Sequence, residues 1–334
     1  MTAIHEVTSS PAVEDVRRAL TERWSGAGHR VAEISGYALL APGKLLRPLL
    51  LVTAAEAVGG SREQVLPAAL AVEYLHVASL IHDDIIDGDD LRRGRPAVHA
   101  RFGTPDAIVT GDALILGLFS AVAECAALGV PEPAVLAAVR VLSEAGEDLC
   151  RGQVQEALLD REVLAAGADH CLTAYLEVAS LKTGALFRGA CRAGALLGGG
   201  SPAEVAAITG FAEHAGLAFQ MHDDLLPFLG EPSVTGKPGT SDAANLRLTF
   251  PVLLAVREAG SRSLDRILGG GFTPERTLAE LRELVTTTTG ALELARARAE
   301  EEVALARAEL GTLPSTEATG LLGAIAEAAV RRDR

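Results

Sequence analysis

Three aspartates lie close together in an otherwise apolar segment, Asp83-Asp84-Ile85-Ile86-Asp87. In a helix, Asp83 and Asp87 lie one turn apart on the same face, and Asp84 lies about 100° around the axis from Asp83. Burying three carboxylates among apolar side chains is costly unless something neutralises them. Mg²⁺ binds to a few carboxylates together with substrate phosphates. The motif therefore predicts a divalent-metal site, and a solvated acidic helix end is the alternative.

A second acidic pair, Asp223-Asp224, follows another apolar stretch, FAEHAGLAFQMH. Alone, this pair is weak evidence for a site. Two apolar helices that each deliver carboxylates into the space between them would form a two-sided metal clamp. The two acidic motifs together therefore favour the metal site over the solvated helix end.

Basic residues recur beside glycine turns around these motifs. Arg92, Arg93 and Arg95 follow the first motif directly, and Lys44, Arg47, Lys182 and Lys237 lie within a few residues of glycines elsewhere in the chain. Any one of them is equally well explained as a surface cation. Together they indicate phosphate contacts, because backbone N–H groups and cations converge on phosphate at such turns. Metal-binding acids and phosphate-binding cations around an apolar interior predict a phosphorylated ligand with an apolar tail.

The elements that must position these residues are helices. Ala, Leu, Glu and Arg, which are good helix formers, dominate the composition. The segment VLPAALAVEYLHVASLIHDDIID has apolar residues at spacings of three and four, and it is apolar all round, which is typical of a core helix. The stretch LTFPVLLAV has the composition of a strand, but Pro251 inside it argues against that interpretation.

Clusters of glycine and proline divide the chain into many helices. These clusters are Ala41–Gly43, Gly129–Pro133, Gly198–Pro202, Gly230–Gly239 and Gly269–Pro274. None is long or polar enough for a domain linker. The sequence predicts an all-α fold, a large single-domain helical bundle over residues 13–334, after a flexible tail over residues 1–12.

Composition and charge exclude several classes of protein. The 334 residues are 49% hydrophobic and 22% charged, a globular balance. A net charge of −14 argues against a nucleic-acid partner. The longest uncharged stretches, such as Ala113–Ala123, are about half the roughly 20 residues that a membrane span needs. No signal peptide is visible.

The four cysteines do not form close pairs, so they predict buried thiols in a cytoplasmic protein and not a zinc site. They are Cys125, Cys150, Cys171 and Cys191.

At this point the motifs resemble those of the trans-isoprenyl diphosphate synthases, the polyprenyl synthetases, and in particular the bacterial geranylgeranyl and farnesyl diphosphate synthases. The matching segments run in order from Gly43 to Pro251: GKLLRP, EYLHVASLIHDDIIDGDDLRRGRPAVH, GDALIL, Gly152-Gln153, SLKTGALF, GLAFQMHDD, GKPGTSD and RLTFP. The resemblance implies an isoprenoid synthase bundle around a central hydrophobic cavity, usually as a homodimer. It also implies Mg²⁺-dependent, head-to-tail, trans condensation of isopentenyl diphosphate with an allylic diphosphate.

The resemblance assigns roles to individual residues. Asp83 and Asp87 would bind Mg²⁺ with Asp84 completing the motif, and Asp223 would hold a third Mg²⁺ from the opposite wall. Arg92 and Lys182 would join these acids in catalysis. The residues that would grip the allylic diphosphate are Arg92, Lys182, Thr183, Gln220, Lys237 and Arg247. Those that would hold the diphosphate of isopentenyl diphosphate are Lys44, Arg47, His76 and Arg93, with Phe219 lining the pocket beside it. Gly230–Gly239 would close as a lid.

Two positions depart from the family pattern. Pro227 stands where the second motif has its third acid, and Arg247 stands where lysine is more usual. We expect Asp223 to carry the metal contact, with Glu231 compensating. A class I terpene cyclase is the alternative, since Asp223 and Glu231 fit the ends of its second motif, but a cyclase has no use for the isopentenyl diphosphate residues. A non-enzymatic partner subunit is a further alternative.

Product length depends on the helix that ends in the first acidic motif. In the family, aromatic side chains four and five residues before the first aspartate resemble a floor that stops growth at fifteen carbons. Here these positions are Ser79 and Ala78, so the cavity is open at that depth. One turn is about 5.4 Å, close to one isoprene unit. The candidates for a deeper floor are Tyr74, Leu75 and Phe119. We therefore expect geranylgeranyl diphosphate, with longer chains as the alternative.

Overall fold

Helices make up nearly all of the described chain, as the composition predicts. The structure is a computed structural model that describes residues 7–26, 28–229 and 248–331. In chain order, its helices are α1 (Pro11–Trp24), α2 (Arg30–Leu39), α3 (Leu46–Ala57), α4 (Arg62–Asp87), α5 (Val98–Phe102), α6 (Thr104–Ala127), α7 (Glu132–Ala166), α8 (Ala168–Ala179), α9 (Ala185–Leu197), α10 (Pro202–Leu229), α11 (Phe250–Ala259), α12 (Ser261–Gly269), α13 (Pro274–Glu283), α14 (Ala291–Leu310) and α15 (Glu317–Val330).

Two short π-helical segments interrupt this pattern. The first, Ser180–Gly184, joins α8 to α9 in one continuous helical run. The second, Leu284–Thr288, follows α13. In a π-turn the backbone bonds run from residue i to i+5, and such turns occur frequently at functional sites. The first segment carries Lys182 and Thr183.

The ends of several helices follow from their sequences. Pro251 lies in the first turn of α11, where its missing N–H group is harmless, so LTFPVLLAV forms a helix and not a strand. Pro11 begins α1 in the same way, with Ala12 buried. Val7 is buried in the core as well, so part of the predicted tail belongs to the bundle. Residues 1–6 lie outside the described part of the chain.

A small β-hairpin follows α4, which the sequence analysis did not predict. Its strands are β1 (Leu91–Arg92) and β2 (Arg95–Pro96), with Arg92 opposite Arg95. The two turn residues, Arg93 and Gly94, have φ angles of 53° and 73°. A two-residue turn with both φ angles positive is the type I′ form that favours hairpins. Strands of two residues are too short to produce an alternating pattern in the sequence.

The helices bury their apolar faces in two clusters. The first lies around α3, α4, α6 and α9, and includes the middle of α10. The second lies around α8, α11 and α13, with the carboxyl end of α10 and the first half of α14. Helix α10 packs chiefly on α14 and α9, and α4 packs chiefly on α6. The long helices α4 and α10, which carry the two acidic motifs, are therefore held by packing over most of their length.

The cysteines agree only in part with the prediction of buried thiols. Cys125, Cys171 and Cys191 are buried, but Cys150 is exposed on α7. All four are free. Burial raises the pKa of the Cys125 thiol to about 11, so this side chain stays protonated and unreactive.

Two described helices, α4 and α6, are long and apolar enough to cross a membrane by length and composition. The apolar window of α4 is 67% buried inside the protein and that of α6 is 39% buried. The core helix of a globular protein can have this length and composition, so two such helices are weak evidence for a membrane span.

Candidate active site

The first acidic motif forms the last turn of α4, and its three aspartates differ in burial and contacts. Asp83 and Asp87 are half-buried on one face, whereas Asp84 is only 3% exposed. The Asp84 carboxylate accepts N–H groups of Arg92, from Nε at 2.8 Å and from Nη2. Asp84 therefore neutralises and orients Arg92, and its predicted part in metal binding stays a prediction.

The Asp83 carboxylate lies in a field of mixed charges. Burial raises its pKa, and the negative charges of Asp87 and Glu156 act in the same direction, while Lys182 lowers it. A cation between Asp83 and Asp87 would relieve this cost, since opposite charges stabilise the ionised form. The hard carboxylate oxygens and this unfavourable environment fit a divalent metal.

Lys182 and Thr183 reach the site from the π-helical segment. The Lys182 ammonium lies 2.6 Å from Glu156 Oε2 of α7. The Thr183 hydroxyl donates to Gln220 Oε1 of α10 at 2.5 Å. The sequence analysis missed Glu156, although it lies one helical turn after Gly152 and faces the same way along α7.

The two aspartates of the second acidic pair also differ in exposure and contacts. Asp223 is exposed, whereas Asp224 binds three donors. These donors are the Tyr175 hydroxyl at 2.7 Å, Gln220 Nε2 at 2.8 Å and the backbone N–H of Phe250 at 3.0 Å. Asp224 thus fixes the amide of Gln220, which in turn accepts the hydroxyl of Thr183.

Tyr175 is a further residue that sequence reasoning did not find. Burial raises its pKa well above the usual value, and the negative charge of Asp224 adds to this effect. The phenol therefore stays protonated and keeps donating to Asp224. Its ring stacks on Phe250, with centroids 5.4 Å apart. No local pattern in the sequence links positions 175, 224 and 250.

Pro227 lies inside α10, which continues to Leu229. The proline therefore does not end the helix at its own position, although it removes the N–H bond to the carbonyl of residue 223. The guanidinium of Arg282, in α13, donates to the carbonyl oxygen of Pro227 at 2.5 Å. The end of α10 is thus held from outside by another helix.

The predicted isopentenyl diphosphate residues come together from three elements. Arg47 Nη1 in α3 lies 3.2 Å from His76 Nε2 in α4. From the hairpin turn, Arg93 Nη1 donates to the carbonyl of Pro42 at 2.9 Å, which brings it beside the GKLLRP segment. Lys44 is the second residue of that segment, and the next residue, Leu45, has a φ of 50°. For a leucine this left-handed conformation is strained, which is common at functional sites.

Charge and burial define the state of His76. Burial lowers its pKa well below the usual value, and Arg47, Arg93 and Arg92 lower it further. The imidazole is therefore neutral, so its Nε2 can accept the Arg47 N–H. Glu73, which is 4% exposed, lies one turn earlier and interacts electrostatically with Arg47 and Arg93. This buried counter-charge was not found from the sequence.

A second aromatic ring, that of Phe187, lies between Phe219 and the guanidinium of Arg47. The guanidinium of Arg47 is 5.6 Å from the ring centroid of Phe187, and Phe187 is 5.2 Å from Phe219. Phe187 was not predicted as a site residue. The two aromatic rings thus connect Arg47 to α10 at Phe219, the residue before Gln220.

One candidate for a deep cavity floor is partly exposed, and another is buried against a different helix. Phe119 is 40% exposed on the outer side of α6. Tyr74 is nine residues before Asp83 and thus about 180° around α4 from it. Its hydroxyl accepts the indole N–H of Trp24 in α1 at 3.1 Å, so the ring is turned toward α1. Neither orientation supports a position in the floor, and both assignments stay predictions.

The other length-determining candidates remain. Leu75 faces α7, close to Gly146. Ala78 is fully buried. Ser79 is half-buried on nearly the same face of α4 as Asp83, and its hydroxyl donates to the carbonyl of His76 at 2.8 Å.

Some predicted site residues lie outside the part of the chain that the structure describes. They are Lys237, Arg247, Glu231 and the predicted lid Gly230–Gly239.

Comparison with known proteins gives the family. A family model for polyprenyl synthetase matches residues 29–285. The short chain isoprenyl diphosphate synthase of Methanothermobacter thermautotrophicus is 35% identical over 97% of this chain and 96% of its own length. The geranylgeranyl diphosphate synthase of Methanosarcina mazei is 37% identical over 90% and 89%. The chain belongs to the polyprenyl synthetase family.

A solved structure supports the same conclusion for the fold. The geranylgeranyl pyrophosphate synthetase of Pyrococcus horikoshii superposes with a TM-score of 0.87 at 28% identity, covering 99% of this chain and 98% of that one. The predicted all-α isoprenoid synthase fold is confirmed.

Family membership makes the protein a prenyl diphosphate synthase, a transferase of isoprenoid biosynthesis. The comparisons do not support the terpene cyclase alternative. The relatives range in name from farnesyl and geranylfarnesyl diphosphate synthases to a heptaprenyl diphosphate synthase component 2, so similarity does not fix the product length. The family uses divalent metal ions.

The depressed pKa of His76 predicts a pH-dependent stability. Below about pH 6.5 the unfolded chain binds a proton at this position that the folded chain does not, so the free energy of unfolding falls as the pH falls. Each pH unit costs up to about 1.4 kcal/mol. We expect His76→Gln to reduce the loss of stability between pH 7.5 and 5.5, measured by urea unfolding. An identical loss in both proteins would contradict a neutral, half-buried imidazole.

Proposed function

We propose that this enzyme condenses isopentenyl diphosphate with an allylic diphosphate, head-to-tail and trans, and that its main product is geranylgeranyl diphosphate. The observation that carries the proposal is the pairing of two distinct anion sites. One site combines Asp83 and Asp87 with Lys182. The other combines Arg47, His76 and Arg93 above the buried carboxyl group of Glu73.

The β-hairpin lies between the two sites, which is evidence that both substrates bind next to each other. Arg92 pairs with Asp84 beside the acidic motif, while Arg93, its neighbour, is directed to Pro42 on the other side. The same hairpin therefore supplies a cation to each diphosphate. A cyclase needs one diphosphate site only, whereas a condensing enzyme needs both.

The residues divide the reaction between them. Lys182 and Arg92 stabilise the negative charge that develops on the departing diphosphate of the allylic substrate. Thr183 and Gln220, which are already hydrogen-bonded to each other, bind and orient the same group. The other cations hold isopentenyl diphosphate so that its double bond attacks the allylic carbon, and a proton then leaves to the released diphosphate. The apolar walls exclude water, which would otherwise quench the cation.

Mg²⁺ would supply Lewis-acid stabilisation of the leaving diphosphate, and we infer three ions per active site. Asp83 and Asp87 would hold two of them, and Asp223 would hold the third from α10. No group of three or more His, Cys, Asp or Glu side chains in the described part of the chain is arranged to hold a metal by itself. Phosphate oxygens would therefore complete the coordination, as is usual for Mg²⁺.

The acidic motif gives the first test of this proposal. We expect Asp83→Asn or Asp87→Asn to lower kcat by at least about 100-fold without unfolding the protein, since each removes a charge that binds the metal. Formation of the product from isopentenyl and dimethylallyl diphosphates with Mg²⁺ would be measured. Asp90→Asn is the matched control, because its side chain is 84% exposed just beyond the motif. Activity within a few fold of wild type in either variant would refute the metal clamp.

The same assay separates the alternative functions. Wild-type protein that cyclises geranylgeranyl diphosphate and ignores isopentenyl diphosphate would establish a cyclase. Wild-type protein without turnover that gains activity only with a second chain would establish a partner subunit.

Product length gives the next test. We expect Ala78→Phe to shorten the main product from twenty to fifteen carbons by filling the cavity. Because Ala78 is fully buried, this variant could lose stability. Ser79→Phe is therefore the better-tolerated partner variant, since Ser79 is half-buried on the side of Asp83. Chromatography of the dephosphorylated products measures the change. A wild type that already stops at fifteen carbons, or two variants without effect, would contradict the open cavity.

We also infer a cytoplasmic homodimer that binds no nucleic acid. Helix α6 supports the dimer because one side of it exposes large apolar residues: Ile108, Val109, Leu116 and Phe119. Exposed apolar patches of this kind are typical of protein–protein interfaces.

Leu116→Glu tests this surface. We expect the variant to elute as a monomer where the wild type is a dimer, measured by size-exclusion chromatography with light scattering. Leu294→Glu, at an exposed leucine of α14, is the control and should remain dimeric. A dimeric Leu116→Glu variant would place the interface elsewhere.

A further inference from the structure

The π-helical segment Ser180–Gly184 carries two substrate-binding side chains, Lys182 and Thr183, and its geometry needs an explanation. A π-turn inserts one residue into a helix and weakens its regular hydrogen bonding, so it persists only where the surroundings support it. Small residues and one arginine surround this segment. Their arrangement is independent of the metal-binding acids.

Neighbouring helices approach the segment at two glycines. A Cβ atom at Gly152 of α7 would lie 2.8 Å from the backbone nitrogen of Lys182. A Cβ atom at Gly216 of α10 would lie 2.9 Å from Cα of Gly184. Both distances are too short for real contacts, so only glycine allows α7 and α10 to press against the segment. The backbone that presents Lys182 and Thr183 is therefore clamped on two sides.

Arg188 binds the segment from a third direction. It lies one turn after Gly184 on α9, and helical side chains point back toward the amino end. Its Nη1 donates to the carbonyl oxygen of Ser180 at 3.1 Å and to the Ser180 hydroxyl at 2.8 Å. The guanidinium thus satisfies polar atoms at the first residue of the π-turn.

Two acids hold the guanidinium in place. Its Nη2 lies 3.4 Å from Oδ2 of Asp148 on α7, and its Nη1 lies 3.9 Å from Oε1 of Glu213 on α10. The Arg188 side chain is only 19% exposed. The planar guanidinium can serve several acceptors at fixed angles, which a lysine ammonium cannot do. Arg188 therefore connects the π-turn to the same two helices that clamp it.

We propose that Arg188 is a positioning residue for the allylic diphosphate: by holding Ser180 it fixes the π-turn that directs Lys182 and Thr183 into the site. It acts through these two residues and does not contact the substrate itself. The inference rests on the proposed function for its kinetic effect. Its effect on the backbone is independent of that function.

The kinetic test compares two substrates in the full-length enzyme. We expect Arg188→Met to raise KM for the allylic diphosphate about tenfold, in keeping with the loss of charge-assisted hydrogen bonds. KM for isopentenyl diphosphate should change less than twofold, because Arg47, His76 and Arg93 lie on other elements. Arg188→Lys should restore part of the loss. Arg192→Ala, one turn further along α9 and exposed, is the matched control and should behave as wild type.

A second measurement needs no turnover. Hydrogen exchange of the substrate-free protein, followed by mass spectrometry, should show faster exchange in peptides covering residues 180–184 in Arg188→Met, with exchange elsewhere unchanged. Ser180→Ala, which removes only the hydroxyl acceptor, should produce a smaller change in the same direction. This result would stand even if the wild type failed to condense the two diphosphates.

Three outcomes would overturn the proposal. One is equal losses for both substrates together with a general rise in exchange, which would show a purely structural role. Another is unchanged exchange in residues 180–184. The third is full allylic affinity in Arg188→Met.

Discussion

The cost of placing like charges together in an apolar interior governs the architecture of this enzyme. Asp83 and Asp87 occupy one end of a core helix, where burial already opposes their ionisation. Cations must lie close enough to stabilise these carboxylates. They must not pair with Asp83 and Asp87 so tightly that these residues can no longer bind metal and substrate. Lys182 is paired with Glu156, and Arg92 is paired with Asp84. The site is thus kept electrostatically balanced by internal pairs whose cations can also bind phosphate.

Each pair of adjacent aspartates serves two purposes. In the first motif, the Asp84 carboxylate orients Arg92, while Asp83 and Asp87 lie together on another face of the helix. In the second, Asp223 is exposed and Asp224 connects Tyr175, Gln220 and Phe250. Successive residues on a helix point about 100° apart, so a helix end can direct one acid to the ligand and the next into the protein. Asp224 also links α10 to the start of α11 and to the π-helical segment through Gln220.

The sequence was sufficient for the fold class and for the positions of the motifs, because helical periodicity and short motifs are local signals. Contacts between distant elements were not visible in it. Glu156, Glu73 and Tyr175 gain their roles only when α7, α4 and α8 are packed, and no local spacing marks them. The hairpin at Arg92 was too short for a pattern, and the π-turn has no compositional signature. The orientations of Tyr74 and Phe119 could not be predicted for the same reason, since a single helix does not show which of its faces another helix will cover.

The central claim is that the acidic helix end and the surrounding cations form one binding site only when metal and diphosphate are present together. Isothermal titration calorimetry of the full chain with inorganic diphosphate tests this directly, with Mg²⁺ in one series and EDTA in the other. The account predicts binding with Mg²⁺ that weakens by at least about 100-fold in EDTA, because Asp83 and Asp87 then repel the anion. Equal affinity in both series would show that the cations alone bind the diphosphate, and it would contradict the account.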